Sequence, residues 1–115
     1  MGANAGAVRK TSAEEEVLTV RLAQLVMGWR IAPGRYLTSG RSWLSTSRFK
    51  PFARLEHAFL LLDTARAVYN LSGSAGVLTA RVRVGRGIGK ASGRLKARTI
   101  TLALSQALGI GADAQ

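Results

Sequence analysis

The stretch Gly76-Val77-Leu78-Thr79-Ala80-Arg81-Val82-Arg83-Val84 decides the fold class. Its residues alternate: Leu78, Ala80, Val82 and Val84 point one way, and Val77, Thr79, Arg81 and Arg83 point the other. Alternation of this kind belongs to an antiparallel sheet with one wetter face, because a strand buried on both faces reads apolar throughout. Downstream, Gly85 to Lys90 (GRGIGK) reads as a glycine-rich loop, and Ser92 is placed to cap a helix. That helix carries Ile100, Ala103, Leu104, Ala107 and Leu108 at helical spacing and is ended by Gly109. Upstream, Ala67 to Leu71 reads as a short strand followed by a turn at Ser72-Gly73-Ser74.

Further out, Pro51 suits the first turn of another helix, in which Leu55, Ala58, Phe59, Leu62 and Ala65 repeat to about Arg66. Between Trp29 and Lys50, strand-prone residues broken at Pro33-Gly34 and Ser39-Gly40 predict a hairpin or meander. The first helix is expected to start at Ser12, which forms a capping box with Glu15, and to stop at Gly28. Its stripe is Leu18, Leu22, Leu25 and Val26. The expected organisation is a disordered segment 1–11, one α+β domain over 12–110 and a frayed tail 111–115. Within the domain, helices pack on a small antiparallel sheet in the order α-β-β-α-β-β-α.

The chain has 115 residues and a formal charge of +11, from 17 cations against 6 acids. Residues 1–28 balance Arg9, Lys10 and Arg21 against Glu14, Glu15 and Glu16, so the whole excess sits on the body of the domain. Thirteen of the cations are arginine, whose planar fork suits phosphate. Self-repulsion at this charge works against a compact state, which points to an anionic partner. There is no cysteine, hence no disulfide and no thiolate metal site. No apolar run reaches the ~20 residues of a membrane span, and the acids after Lys10 do not suit a signal peptide, so a cytoplasmic location without membrane contact is expected.

Few residues suit catalysis. Glu56 and Asp63 stand about 10 Å apart along a helix axis, too far to share a metal. His57 has no carboxylate at a spacing that would orient it, and no nucleophile elbow is present. No enzyme activity, catalytic residue, metal site or cofactor is therefore expected. The stretch Arg81 to Arg98 reads instead as a phosphate cradle. Arg81, Arg83, Arg86, Lys90, Arg94 and Arg98 supply charge, while Gly87 and Gly89 let the backbone approach a ligand before a helix start. It lacks the spacing of a P-loop, since Ala91 follows Lys90. Trp43 and Tyr36, set among Arg30, Arg35, Arg41 and Arg48, are candidate stacking residues.

Leu25-Val26-Met27-Gly28-Trp29, the proline-led second helix with Ala58-Phe59, and the terminal pattern Ala97-x-x-Ile100-x-x-Ala103-Leu104 together resemble the phage ABA sandwich domain family. The resemblance covers residues 18–110 and implies a phage or prophage origin with helices on both faces of the sheet. Three function classes remain open. One is a binder of a phosphate-bearing ligand such as a nucleotide signal, acting as a counter-defence sponge in the host cell. Another is a nucleic-acid-binding accessory protein. The third is an inhibitor of a host defence protein such as a CRISPR effector. A homo-oligomer is compatible with each.

Overall fold

In the computed structural model, residues 2–38 and 40–110 are described, with side chains from Ala13 onward. Three helices and two three-stranded antiparallel sheets follow one another as α-β-β-β-α-β-β-β-α. The α+β class stands as expected, with a third strand in each sheet. Helix α1 spans Gly2–Leu25. Its backbone extends upstream of Ser12, so the capping box does not mark its start, and residues 2–11, expected to be disordered, continue the helix. Residues 111–115 lie outside the described residues. Gly28, at φ +70°, turns the chain out of the helix without the steric cost another residue would meet.

Strands β1 (Arg30–Ala32), β2 (Arg35–Leu37) and β3 (Trp43–Ser45) form the expected meander. Its register sets the buried Tyr36 against Leu44 on the inner face, with the exposed Ile31 on the same side at the β1 edge, and Leu37 and Trp43 paired on the other. Pro51 is buried in a turn ahead of helix α2, which spans Leu55–Thr64, and is not in the helix's first turn. The Pro51 carbonyl accepts a hydrogen bond from the buried Thr101 hydroxyl at 2.7 Å.

The second sheet is built of β4 (Val68–Ser74), β5 (Val77–Val84) and β6 (Gly87–Gly93). Both connections are two-residue hairpin turns. Ala75 and Gly76 both have positive φ, as a type I′ turn requires. At the other end only Gly85 has positive φ, the type II′ pattern, with Arg86 beside it. Ser72-Gly73-Ser74 thus belongs to a strand, and so does most of the segment read as a glycine-rich loop. Ser92 lies in β6, its hydroxyl 2.9 Å from that of Thr79, and caps no helix. Helix α3 (Lys96–Leu108) begins after Leu95 without a side-chain cap and ends at Gly109, φ +73°, as expected.

Helix α3 lies along β5 and β6 at unusually short range. The inward positions of β6 are Gly87, Gly89, Ala91 and Gly93, a row almost without side chains. A Cβ added at Gly89 would lie 1.9 Å from the Ala103 carbonyl oxygen, and one at Gly87 would lie 1.8 Å from that of Ala107. Two helix residues with small side chains thus pack directly against two glycines. Around this seam, Leu22, Tyr36, Phe49, Leu61, Leu62, Ala80, Val82, Ile100 and Leu104 form one buried cluster drawn from every layer. The helices cover one face of the second sheet only. The other face stays exposed from β4 to β6, contrary to the two-sided covering implied by the family resemblance.

Candidate functional site

The uncovered face is set by parity. Position by position across the strands, Asn70 pairs with Arg81 and Arg81 with Lys90; Val68 pairs with Arg83 and Arg83 with Ile88; Ser72 pairs with Thr79 and Thr79 with Ser92. All of these except the half-buried Thr79 are exposed. Arg81 and Lys90 are direct cross-strand neighbours of like charge, an arrangement that costs stability where nothing neutralises it. Residues 67–110 contain no Asp or Glu, and among the described residues the ion pairs are Arg54–Glu56 and Arg98–Glu15 alone. The three cations of this face therefore stand without a carboxylate partner in the described protein.

The residues expected to form a phosphate cradle are divided by the fold. Arg81, Arg83 and Lys90 come together on the open face, and Arg86 stands exposed in the turn at its end. Gly87 and Gly89 point the opposite way, into α3, where they serve packing and leave no room for a ligand. Arg94 lies exposed between β6 and α3, not on the helix, so it does not share a helical face with Arg98. Arg98 is half-buried and bound to Glu15, joining α3 to α1. Its charge serves the fold.

The two stacking candidates also part company. Trp43 is 53% exposed, with the Arg35 guanidinium 4.2 Å above its ring. Tyr36, one position away in register, is 1% exposed and packs against Trp29 and Phe49 in the core. Burial raises the Tyr36 hydroxyl above its ordinary value of 10 by disfavouring the phenolate. His57 is structural in its contacts: its Nδ1 accepts the Lys50 N–H at 3.0 Å and its ring stacks on Phe49. A cleft of about 520 Å³ lies between α1 and residues 46–53, with Glu15, Glu16, Tyr36, Phe49 and Lys50 among its lining. With Glu15 already neutralised by Arg98, Glu16 and Lys50 leave the cleft without the net positive charge an anion needs.

Asn70 was not legible as a member of the site, because the sequence places it in a short strand with no visible partner. Its parity with Ser72 and Ser74 is the signal that would have found it. No family model matches the chain, and no curated protein matches it. Among solved structures, a phage protein from Bacillus cereus ATCC 14579 is similar to it, with a TM-score of 0.66 at 13% identity over 84% of this chain and 89% of that one. The likeness at that identity is one of fold: the chain has the architecture of a phage protein.

Proposed function

We propose that this is a phage-encoded, non-enzymatic protein of the phage ABA sandwich kind that binds a phosphate-bearing polyanion, a nucleic acid, on the open face of its second sheet. The observation that carries the reading is the Arg81–Lys90 pair, two like charges held side by side in the middle of a bare, acid-free surface. A flat face contacts a backbone along its length, whereas a single nucleotide signal calls for an enclosing pocket, and the cleft beside α1 offers an anion no net positive charge. A protein partner would be favoured by an exposed apolar patch of Trp43 together with Leu44. Leu44 turns inward with Tyr36, which favours the nucleic acid. Binding without turnover fits sequestration in the cytoplasm of the host cell, and no cofactor is part of the reading.

The test is fluorescence anisotropy with labelled oligonucleotides across a salt series. Each phosphate contact contributes a slope of roughly 0.7 for a single strand and 0.9 for a duplex. The double change Arg81→Ala, Lys90→Ala should weaken binding and lower the slope by about 1.4–1.8. Arg54→Ala, which removes a cation already paired with Glu56, should change neither. Binding that is equally steep in salt after the double change, or no binding at 50 mM salt, refutes the proposal.

A further inference from the structure

We infer that the free edge of β4 is a self-pairing surface through which two copies of the chain join their second sheets into one six-stranded sheet. Among the described residues, strand β4 hydrogen-bonds to β5 on one side only, and six of its seven residues are exposed. Exposed strand edges are ordinarily blunted by lysine, proline, a bulge or a covering element. Val68-Tyr69-Asn70-Leu71-Ser72-Gly73-Ser74 carries no charge and no proline, and its pairing with β5 runs without a bulge from end to end. The opposite edge is treated differently. There the backbone N–H of Lys90, in the middle of β6, donates to the Gln106 side chain at 3.0 Å, so a side chain of α3 takes the central outward donor of that edge. One edge carries a side chain of α3 and the other is open, in a protein of net charge +11.

A second copy fits this edge because the strand is complementary to itself. A two-fold axis at Leu71 sets Leu71 against its equivalent, Asn70 against Ser72, Tyr69 against Gly73 and Val68 against Ser74 of the partner copy. Parity is preserved, so the inner faces of both sheets remain on the same side. Tyr69 is 40% exposed and sits over the inner side of the edge, its ring 6.0 Å from that of Phe59 on α2. Across the axis it meets a glycine, the residue an aromatic neighbour covers best. Val68 and Leu60, at 59% and 42% exposure, supply further apolar surface on β4 and α2. The cationic residues Arg81 and Arg83 are set back by one strand, so no cation lies in the seam itself. Joining the sheets makes one continuous basic face from two, which rests on the same register but not on the identity of what that face binds.

The salt dependence of self-association separates this inference from anion binding. Two highly cationic chains repel, and raising salt to 0.5 M shrinks the screening length to roughly 4 Å. Dimerisation should therefore strengthen with salt while nucleic-acid binding weakens. Light scattering of the purified chain at 0.5 M salt should show a concentration-dependent two-fold rise from the 12.2 kDa of one chain. Hydrogen exchange should show the outward amides of β4 becoming protected over the same range. The double change Asn70→Lys, Ser72→Lys alters two exposed side chains and places lysines opposite each other across the axis. It should abolish the mass increase while the circular dichroism shows the monomer fold retained; the thermal midpoint should drop by only a few degrees, because the lysine at 70 also stands opposite Arg81 within the monomer. A single-chain mass at every concentration with unprotected outward amides overturns the inference. So does a dimer that survives both lysines, since its interface would then lie elsewhere.

Discussion

Gly89→Ala is the most demanding test of how the second sheet meets α3. The new methyl carbon would lie 1.9 Å from the Ala103 carbonyl oxygen, 2.7 Å from the Ala107 nitrogen and 2.9 Å from the Ala103 carbonyl carbon, where ordinary contact begins at 3.4 Å. All three are backbone atoms, so no rotamer change relieves the overlap. The helix has to lift from the sheet, and lifting it loosens Ile100, Ala103, Leu104 and Ala107, each buried in the core. Overpacking that side chains can absorb costs about 1–3 kcal/mol. With a rigid helix as the obstacle, about 3 kcal/mol or more is expected, minus the roughly 0.4–1 kcal/mol that alanine gains by restricting the unfolded chain. At about 4–8 °C per kcal/mol for a domain of this size, the thermal midpoint should fall by on the order of 10–20 °C. Gly85→Ala is the control. It meets no atom within 4 Å and is strained only by its φ of +58°, so about 1–2 kcal/mol is expected. Thermal denaturation followed by circular dichroism reads both. If Gly89→Ala melts within a few degrees of the wild type yet loses anion affinity, the packing account fails and the glycine serves a ligand after all.

Two further outcomes follow from single side chains. Arg98→Met should cost about 1 kcal/mol by releasing the half-exposed pair with Glu15, yet leave nucleic-acid affinity unchanged; a loss of binding like that of Arg81→Ala would return Arg98 to the site. For Tyr36, the unfolded chain ionises at lower pH than the native one, because burial holds the folded hydroxyl above 10. The contribution is thus complete below pH 10 and declines as pH rises toward the raised folded value, since the native state then binds more protons than the unfolded state. Urea midpoints compared at pH 9 and pH 11 should fall less in Tyr36→Phe than in the wild type; equal falls would show that this hydroxyl does not titrate with unfolding.

The elements whose side chains display a period were readable from the sequence. Leu78, Ala80, Val82 and Val84 announce β5, and the terminal helix announces itself through Ile100, Ala103, Leu104 and Ala107 as far as Gly109. Strand β6 alternates just as regularly, but its inward positions are Gly87, Gly89, Ala91 and Gly93. A strand that must accept a helix at backbone distance has the composition of a loop, and glycine content alone cannot separate the two. The same ambiguity hid the second half of β4 behind Ser72-Gly73-Ser74. Arg98 shows a different limit. Its partner Glu15 is 83 positions away, and no local pattern reveals which arginine of a cationic stretch is spent on an ion pair. Trp43 and Tyr36 show how register decides between neighbours, since one step along the meander separates an exposed ring from a buried one.

Packing and the proposed binding surface are linked here through the two-residue period. Gly87 and Gly89 have to face α3, because any side chain there would strike its backbone. That requirement fixes Ile88, Lys90 and Ser92 outward on β6, and the pairing of Arg81 with Lys90 carries the constraint into β5. A slip of one residue would turn Arg81 and Arg83 into the core and the apolar face into solvent, so the alternatives are strongly disfavoured. The like-charged row is therefore held by the same close contact that keeps the helix down. The cost of that repulsion falls on the monomer, and an anion laid across the face would relieve it without moving any element of the fold.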